Sequence, residues 1–593
     1  MKNFKKFKNI FILAILAILA VSFFVYTDRK TEVDSPKAYF FQNKGNSKIR
    51  PVMADYKNTA VVLYSNKGNI VFEKSGAKKL IVGADQKTSK LWLAVENNNI
   101  YAIWWTKDQK NGKRLWLSAS NNGGESFLEP KVINDRSDVL PSISIATKGD
   151  KVAIMYLDER LPGHQMYVNA SNDGGKTWLK NDVRLDKTSG KGGAIDPNLL
   201  FVGGNIVAFW MQQEAENGKP TISEVSRASI DGGVTWGEEH AIFKSSNEFA
   251  IKISVDQLDD EVFISVFREK IGLKLYRTKD VLAKKWQESD VAPETENLST
   301  MAWIRAKGDN TKFLISYIVE DKKTRKNKIS VQGLVLATNQ WDEKPYELSK
   351  SKHPYNTKAV YQDFQVSDSG VFIATWQDYR YLLPTIMLNY SNDGGVSWLP
   401  DPLFLSQPGA MQVRKPTLKI IKNKVEVFYE MVNLFDPSMS RSELVVSSGV
   451  IDKGNKLLMS KLYKETISEN DATLKKSLAK REQELWAARL DNDWEKAWEY
   501  MDPLFKKITN KKRWLFSRGQ VVYLKAKAEE VKVAKNLGQT SGKITITIPS
   551  QVIDGEIIED SAAKETNYTM KWGWFYDNWY YIPGGLFKRH LTY

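Results

Sequence analysis

Three octapeptides constrain this chain more than anything else in it: Ser171-Asn-Asp-Gly-Gly-Lys-Thr-Trp178, Ser229-Ile-Asp-Gly-Gly-Val-Thr-Trp236 and Ser391-Asn-Asp-Gly-Gly-Val-Ser-Trp398. A worn copy, Ser120-Asn-Asn-Gly-Gly-Glu-Ser-Phe127, precedes them. Each follows an alternating apolar run such as Gln165 to Ala170. A carboxylate or amide that bonds backbone N–H groups just ahead of it, beside glycines that accept positive φ, is hairpin chemistry. The tryptophan then opens the returning strand with a large apolar surface to bury. Asp173, Asp231 and Asp393 are therefore read as structural turn residues, with Trp178, Trp236 and Trp398 as the closing aromatics.

The closing aromatics repeat. Phe127, Trp178, Trp236, Trp286, Trp341 and Trp398 are separated by 51, 58, 50, 55 and 57 residues. Arg277 to Asp280 and Thr338 to Gln340 look like eroded octapeptides before Trp286 and Trp341. A period near fifty with several short strands per period is a propeller signature. Within one period, Leu140 to Ala146, Val152 to Tyr156 and Gln165 to Ala170 are three strands, and a fourth follows the turn. Further units flank the six, one from about Lys48 to Val82 and one from about Arg414 to Tyr463. The octapeptide resembles the Asp-box, the S-x-D-x-G-x-T-W (BNR) repeat of sialidase-like β-propellers. The resemblance implies a mainly β, multi-bladed propeller. Six to eight blades are allowed, and seven or eight fit best. It identifies an architecture that many non-sialidases share.

The chain has 593 residues, a formal net charge of +16 and no cysteine. Absence of cysteine excludes disulfides, thiolate metal sites and cysteine nucleophiles. The four histidines are scattered, with no metal-binding spacing, and neither a cofactor nor a metal is expected. A basic balance attracts polyanions. Compartment argues against nucleic acid as the partner. Lys2, Lys5, Lys6 and Lys8 precede Ile10 to Tyr26, a run of 17 uncharged residues that Asp28 ends. Residues 1–28 read as a signal peptide or N-terminal membrane anchor, with the basic flank inside. No A-x-A site precedes Asp28, which favours the anchor. Everything beyond is then extracytoplasmic, periplasmic or at the cell surface.

Residues 29–46 read as a tether, with Ala38 to Phe41 an apolar patch suited to pairing on the propeller edge, and residues 47–463 as the propeller. Asp158-Glu-Arg160 and Asp378-Tyr-Arg380 each follow a second-strand pattern and read as ion pairs that hold the next loop. Composition changes near 464. Leu485, Trp486, Leu490, Trp494 and Trp498 share a helical face, and Pro503 is expected to end a helix at Asp502. Period-two runs then continue to Trp579. Residues 464–593 therefore read as a separate α+β domain. Arg489 to Trp498 early and Trp574 to Tyr580 late resemble the nuclear-transport-factor-2-like (SnoaL-like) cone. Asp491, Asp493 and Glu495 read as a solvated helix start.

The sialidase resemblance implies three arginines that clamp a carboxylate, a Tyr backed by a Glu, and an acidic general acid. Arg50 and Arg414 stand at strand starts in the first and last units and are the candidate substrate-binding arginines. A third arginine at an equivalent place is missing. Asp138 and Asp196 sit where an acid or base belongs, and Tyr429 with Glu430 mimics the Tyr/Glu pair. Adjacent strand residues point to opposite faces, which weighs against that last pair. The leading expectation is a membrane-tethered binding or scaffold protein for an envelope protein, an anionic glycan or a wall polymer. The alternative is an exo-glycosidase of sialidase type acting on sialic acid or a related acidic sugar. Oligomeric state is left open.

Overall fold

The computed structural model describes residues 38–42, 52–463 and 471–583, apart from short internal stretches. The expected anchor (residues 10–26) and Arg50 lie outside the described residues. Among the described residues, no helix is long and apolar enough to cross a membrane.

From Val52 to Met459 the chain forms eight successive antiparallel sheets, numbered here one to eight. Their first strands are Val52–Tyr56, Thr88–Glu96, Val139–Lys148, Gly193–Val202, Ala250–Leu258, Met301–Gly308, Ala359–Val366 and Gln412–Ile421. Each sheet runs as a meander of four strands, and in sheet six the fourth is split into Gln340–Trp341 and Tyr346–Glu347. The first strands of neighbouring sheets touch one another, so they form the inner lining of the array. The architecture is mainly β and of propeller type.

Apolar clusters fill the gaps between consecutive sheets, and the first six gaps each hold the closing aromatic that the repeat predicts. Phe127 packs between sheets one and two, Trp178 between two and three, and Trp236 between three and four. Trp286, Trp341 and Trp398 occupy the next three gaps. The gap between sheets seven and eight is filled by Ile373, Leu388, Val427, Tyr429 and their neighbours. A large apolar side chain buried in such a gap contributes about 1.5–3 kcal/mol.

The octapeptide turns repeat bond for bond. Ser171 Oγ donates to Asp173 Oδ1 at 2.8 Å and accepts from Gly175 N at 2.9 Å. Asp173 then accepts from Thr177 N and Thr177 Oγ1, and Trp178 Nε1 donates to Gly175 O. Ser229 to Trp236 makes the same set, and Ser391 to Ser397 makes all of it up to the closing tryptophan. Asn122 replaces the aspartate in the worn copy and donates its own amide to Ser126 Oγ. The two glycines of every box have φ between 70° and 95°.

The strand Ala38–Gln42 pairs antiparallel with residues 441–445 of sheet eight and touches the second strand of sheet one. The N-terminal patch therefore pairs with the last sheet, beside the first.

After Tyr463, which bridges to Phe404, four helices follow: α1 (Asp471–Leu490), α2 (Trp494–Glu499), α3 (Pro503–Ile508) and α4 (Lys511–Phe516). They pack through Leu474, Leu478, Leu485, Trp486 and Trp498 on a four-stranded antiparallel sheet from Val522 to Ile582. A helix does end ahead of Pro503, with Asp502 outside the helical region at φ −50° and ψ 134°, and Pro503 also opens the next one. Helix α2 stops at Glu499, and Asp502 caps the next helix, accepting from Phe505 N at 2.9 Å with Pro503 at its first position. Proline suits that position because its missing N–H has no intrahelical acceptor there. Asp493 is an exposed N-cap that accepts from Lys496 N, in keeping with a solvated helix start. Leu537, Phe575 and Ile582 bury against Leu383 of sheet seven. The C-terminal sheet is thus fixed to the end of the array where the second-to-third-strand loops lie.

Candidate functional site at the axial mouth

The inner strands break register near their starts, in sheets two through eight. The breaks fall between Thr88 and Lys90, Val139 and Ile143, Ile195 and Asn198, Ala250 and Lys252, Met301 and Ile304, Val360 and Asp363, and Arg414 and Thr417. A bulge leaves a residue out of the ladder and re-aims its side chain. Pro141, Pro197 and Pro416 lie within three of these breaks, where a missing N–H costs no ladder bond. Asp196, Tyr361 and Lys415 take φ of 53°, 53° and 47°. Left-handed backbone is uncommon for such residues, and here it marks the bulges of the inner strands. All of these breaks lie at one end of the inner lining, which forms an axial mouth.

The mouth is cationic on two sides. Lys90 of sheet two reaches sheet three, donating to Pro141 O at 2.6 Å, and its Nζ lies 5.1 Å from the Trp92 ring. Burial pushes its ammonium below the ordinary lysine range. On sheets seven and eight, Lys415 Nζ stands 5.4 Å from the Tyr361 ring, while Lys415 N donates to Gln377 Oε1. Gln377 in turn donates to Tyr379 OH at 2.6 Å. Burial raises the Tyr379 phenol, Tyr361 adds to the rise, and the charge of Arg414 opposes it. Arg414 Nε is buried and has no hydrogen-bond partner among the described residues.

Asp138 and Asp196 come from sheets three and four at this same end. The carbonyl of Asp138 accepts from Glu159 N, and Asp196 is exposed on its bulge with its carbonyl bonded by Asn198. Beside Asp196 lies a carboxyl that the sequence did not single out. Glu224, on the third strand of sheet four, is 1% exposed, and among the described residues neither of its oxygens has a partner. Burial raises its pKa well above the carboxylate range, and the charge of Asp196 adds to the rise. A buried, neutral acid next to a solvated one is the pattern by which two carboxyls take different roles.

Tyr429 is not at the mouth. It is buried in the cluster between sheets seven and eight, where its hydroxyl donates to Leu405 O at 3.0 Å. Glu430 lies across from Arg414 in register and follows Tyr429 on the opposite strand face. The two D-x-R arginines are tied into their loops. Arg160 binds Asp158, Asp135 and Asp182, and Arg380 binds Asp378 at 2.7 Å with both side chains nearly inaccessible. Among the described residues no group of three or more histidines and acids is arranged to hold a metal ion.

No family model matches the chain, and no curated protein matches it. Solved structures do overlay on it. The polysaccharide lyase Uly1 aligns at 10% identity and a TM-score of 0.39, over 71% of this chain and 94% of that one. Trypanosoma rangeli sialidase in complex with the inhibitor DANA aligns at 10% identity and a TM-score of 0.32, over 88% and 87%. Penicillium chrysogenum α-L-arabinanase complexed with arabinobiose aligns at 13% identity and a TM-score of 0.33, over 52% and 93%.

Proposed function

We propose that this chain is an extracytoplasmic binding protein, held to the membrane by residues 10–26, that engages an anionic glycan, a wall polymer or an acidic envelope protein at its axial mouth. On this reading the eight sheets are the blades of one Asp-box propeller, and the C-terminal helices and sheet are an appended nuclear-transport-factor-2-like unit. The observation that carries it is Arg414. Its guanidinium is half-buried beside Lys415, with an Nε that nothing in the described protein satisfies. An unpaired buried donor is costly unless a ligand completes it, and a guanidinium fork matches a carboxylate or phosphate. Sialidase chemistry draws no support from Tyr429, whose hydroxyl is committed to a backbone carbonyl inside the core. A second reading, glycoside hydrolysis, is favoured by one feature, the buried neutral Glu224 beside Asp196. Paired carboxyls of unequal pKa are what that reaction needs.

Titration of the full chain with polygalacturonate, a carboxylate polymer, separates the two. Binding is expected to weaken with salt and to fall about tenfold in Arg414→Gln, the loss of roughly one charge-assisted bond. Unchanged affinity in Arg414→Gln removes the binding reading. Turnover of a fluorogenic acidic-sugar glycoside that disappears in Glu224→Gln would put hydrolysis in its place.

A further inference from the structure

A second cluster of cationic side chains lies in the C-terminal region. Helix α1 carries no glycine or proline, and Glu482, Trp486 and Arg489 at spacings of four and three lie along one flank of it. Arg489 is held between two aromatic faces, 4.8 Å from the Trp486 ring and 5.1 Å from that of Tyr581. Among the described residues its sole hydrogen-bond acceptor is Met570 Sδ, at 3.6 Å, and its Nε is buried and unpartnered. Arg518, just beyond α4, covers the Trp514 ring at 4.6 Å and the Trp494 ring at 5.8 Å. It donates to Trp514 O and Ser517 Oγ. Among the described residues neither arginine makes an ion pair with an acid.

The two guanidiniums are close enough to feel each other. Burial lowers the pKa of Arg518, and the charge of Arg489 lowers it further. Two like charges brought together in a partly desolvated place, with no acid between them, are unfavourable unless something anionic joins them. The nearest acid does not supply that charge. Glu482 is fully buried, accepts from Tyr568 OH at 2.8 Å, and is held towards its neutral form by burial. Thr540 and the indole N–H of Trp486 stand near enough to this carboxyl to favour its charged form in part. Among the described residues, Arg489 thus keeps a buried donor without a partner on the same aromatic cluster that Arg518 covers. Phe516 and Leu524, beside it in sequence, are 91% and 51% exposed.

We infer that the Arg489–Arg518 cluster binds an organic carboxylate carried on a planar or apolar ring, with the carboxylate between the two guanidiniums and the ring against the tryptophans. Aromatic faces give the ring a flat apolar surface, and the two forks provide paired N–H donors for the carboxylate.

The probe is 1-naphthoate, with 1-naphthalenemethanol as its neutral counterpart and inorganic phosphate as the ring-free anion, each titrated calorimetrically into the full chain. Naphthoate is expected to bind more tightly than either. Arg518→Gln is expected to weaken naphthoate about tenfold while leaving the alcohol as it was. Arg489→Lys keeps the charge and loses the fork, so it should weaken naphthoate by a smaller factor. Lys532→Gln, an exposed change on the adjacent sheet, should have no effect. Equal binding of naphthoate and the alcohol, no naphthoate binding at millimolar concentration, or unchanged naphthoate affinity in both arginine variants would each show that the arginines only stack, and would overturn the inference. Phosphate binding as tightly as naphthoate would overturn the ring requirement.

Discussion

Sheets two, three, four and seven end in intact or nearly intact boxes, and sheets five and six do not. The difference shows what the box does. In each boxed sheet the second glycine presses on the sheet before it: Gly124 on Phe72, Gly175 on Tyr101 and Ala119, Gly233 on Ala170, Gly395 on Leu314. The turn is therefore a stitch between sheets as well as a hairpin within one. Where it has eroded, the inner gap is still filled, as by Phe263 stacked on Phe313 at 3.9 Å. The rim, however, opens. A cavity of about 360 Å³ lies beside Val281 and Leu282, where sheet five should lean on sheet four. A larger one of about 800 Å³ lies beside Leu336 and Ala337, where sheet six should lean on sheet five. Sheet six satisfies its own edge instead, with Asp342 bound to Lys312 and to Gly333 N.

The sharpest way to break this comparison is to add one carbon. At Gly395, with φ of 81°, a Cβ would stand 2.4 Å from Leu314 Cδ2. Gly395→Ala should cost about 2–5 kcal/mol, from left-handed strain plus overpacking. At Gly76, with φ of 85°, a Cβ meets nothing within 4 Å. Gly76→Ala should therefore cost only the strain, about 1–2 kcal/mol. Equal losses of thermal stability would mean that the box glycine has no stitching role. Removing the box carboxylate should have a smaller effect than filling Gly395. Asp231→Ala frees Thr235 N and Thr235 Oγ1. It should cost about 1–2 kcal/mol, comparable to losing a helix cap. Denaturant titration of the variant beside the parent protein measures it.

The smallest effect is one of pH. The hydroxyl and N–H of Thr235 hold the Asp231 carboxyl down at about 2. A carboxyl lowered in the folded state stabilises fully above its unfolded value, about 3.9, and that contribution is lost as pH falls towards 2. Hydrogen exchange at Thr235 N should therefore accelerate between these values. Protection that stays flat across that window would detach the carboxylate from the stability of the turn.

The boxes made the array legible because turn chemistry and a closing aromatic leave a local signature at a fixed spacing. The series of closing aromatics, from Phe127 to Trp398, carries straight through to six successive inter-sheet clusters. The N-terminal patch at Ala38 to Phe41 was legible for the same reason, as an apolar run in a polar tether. Pro503 was legible as the end of one helix but not as the start of the next, which turned on Asp502 acting as a cap. The mouth was half legible. Arg414, Asp138 and Asp196 stand at strand starts, and Pro197 and Pro416 interrupting alternating strands were a readable sign of bulges. Glu224 was not legible. It sits in Ile222 to Ser226 as an apparently ordinary strand residue, and nothing in that run signals its burial. Tyr429 beside Glu430 shows the converse, since adjacency in sequence put them on opposite faces.

The pairing of Ala38–Gln42 with residues 441–445 sets an order for biosynthesis. This strand leaves the ribosome long before its partner, and has none until some of the last strands of the array have been made. Closure is a late event of very high contact order, and such events are slow. Until then the growing protein carries two unpaired strand edges, each a template for pairing with another chain.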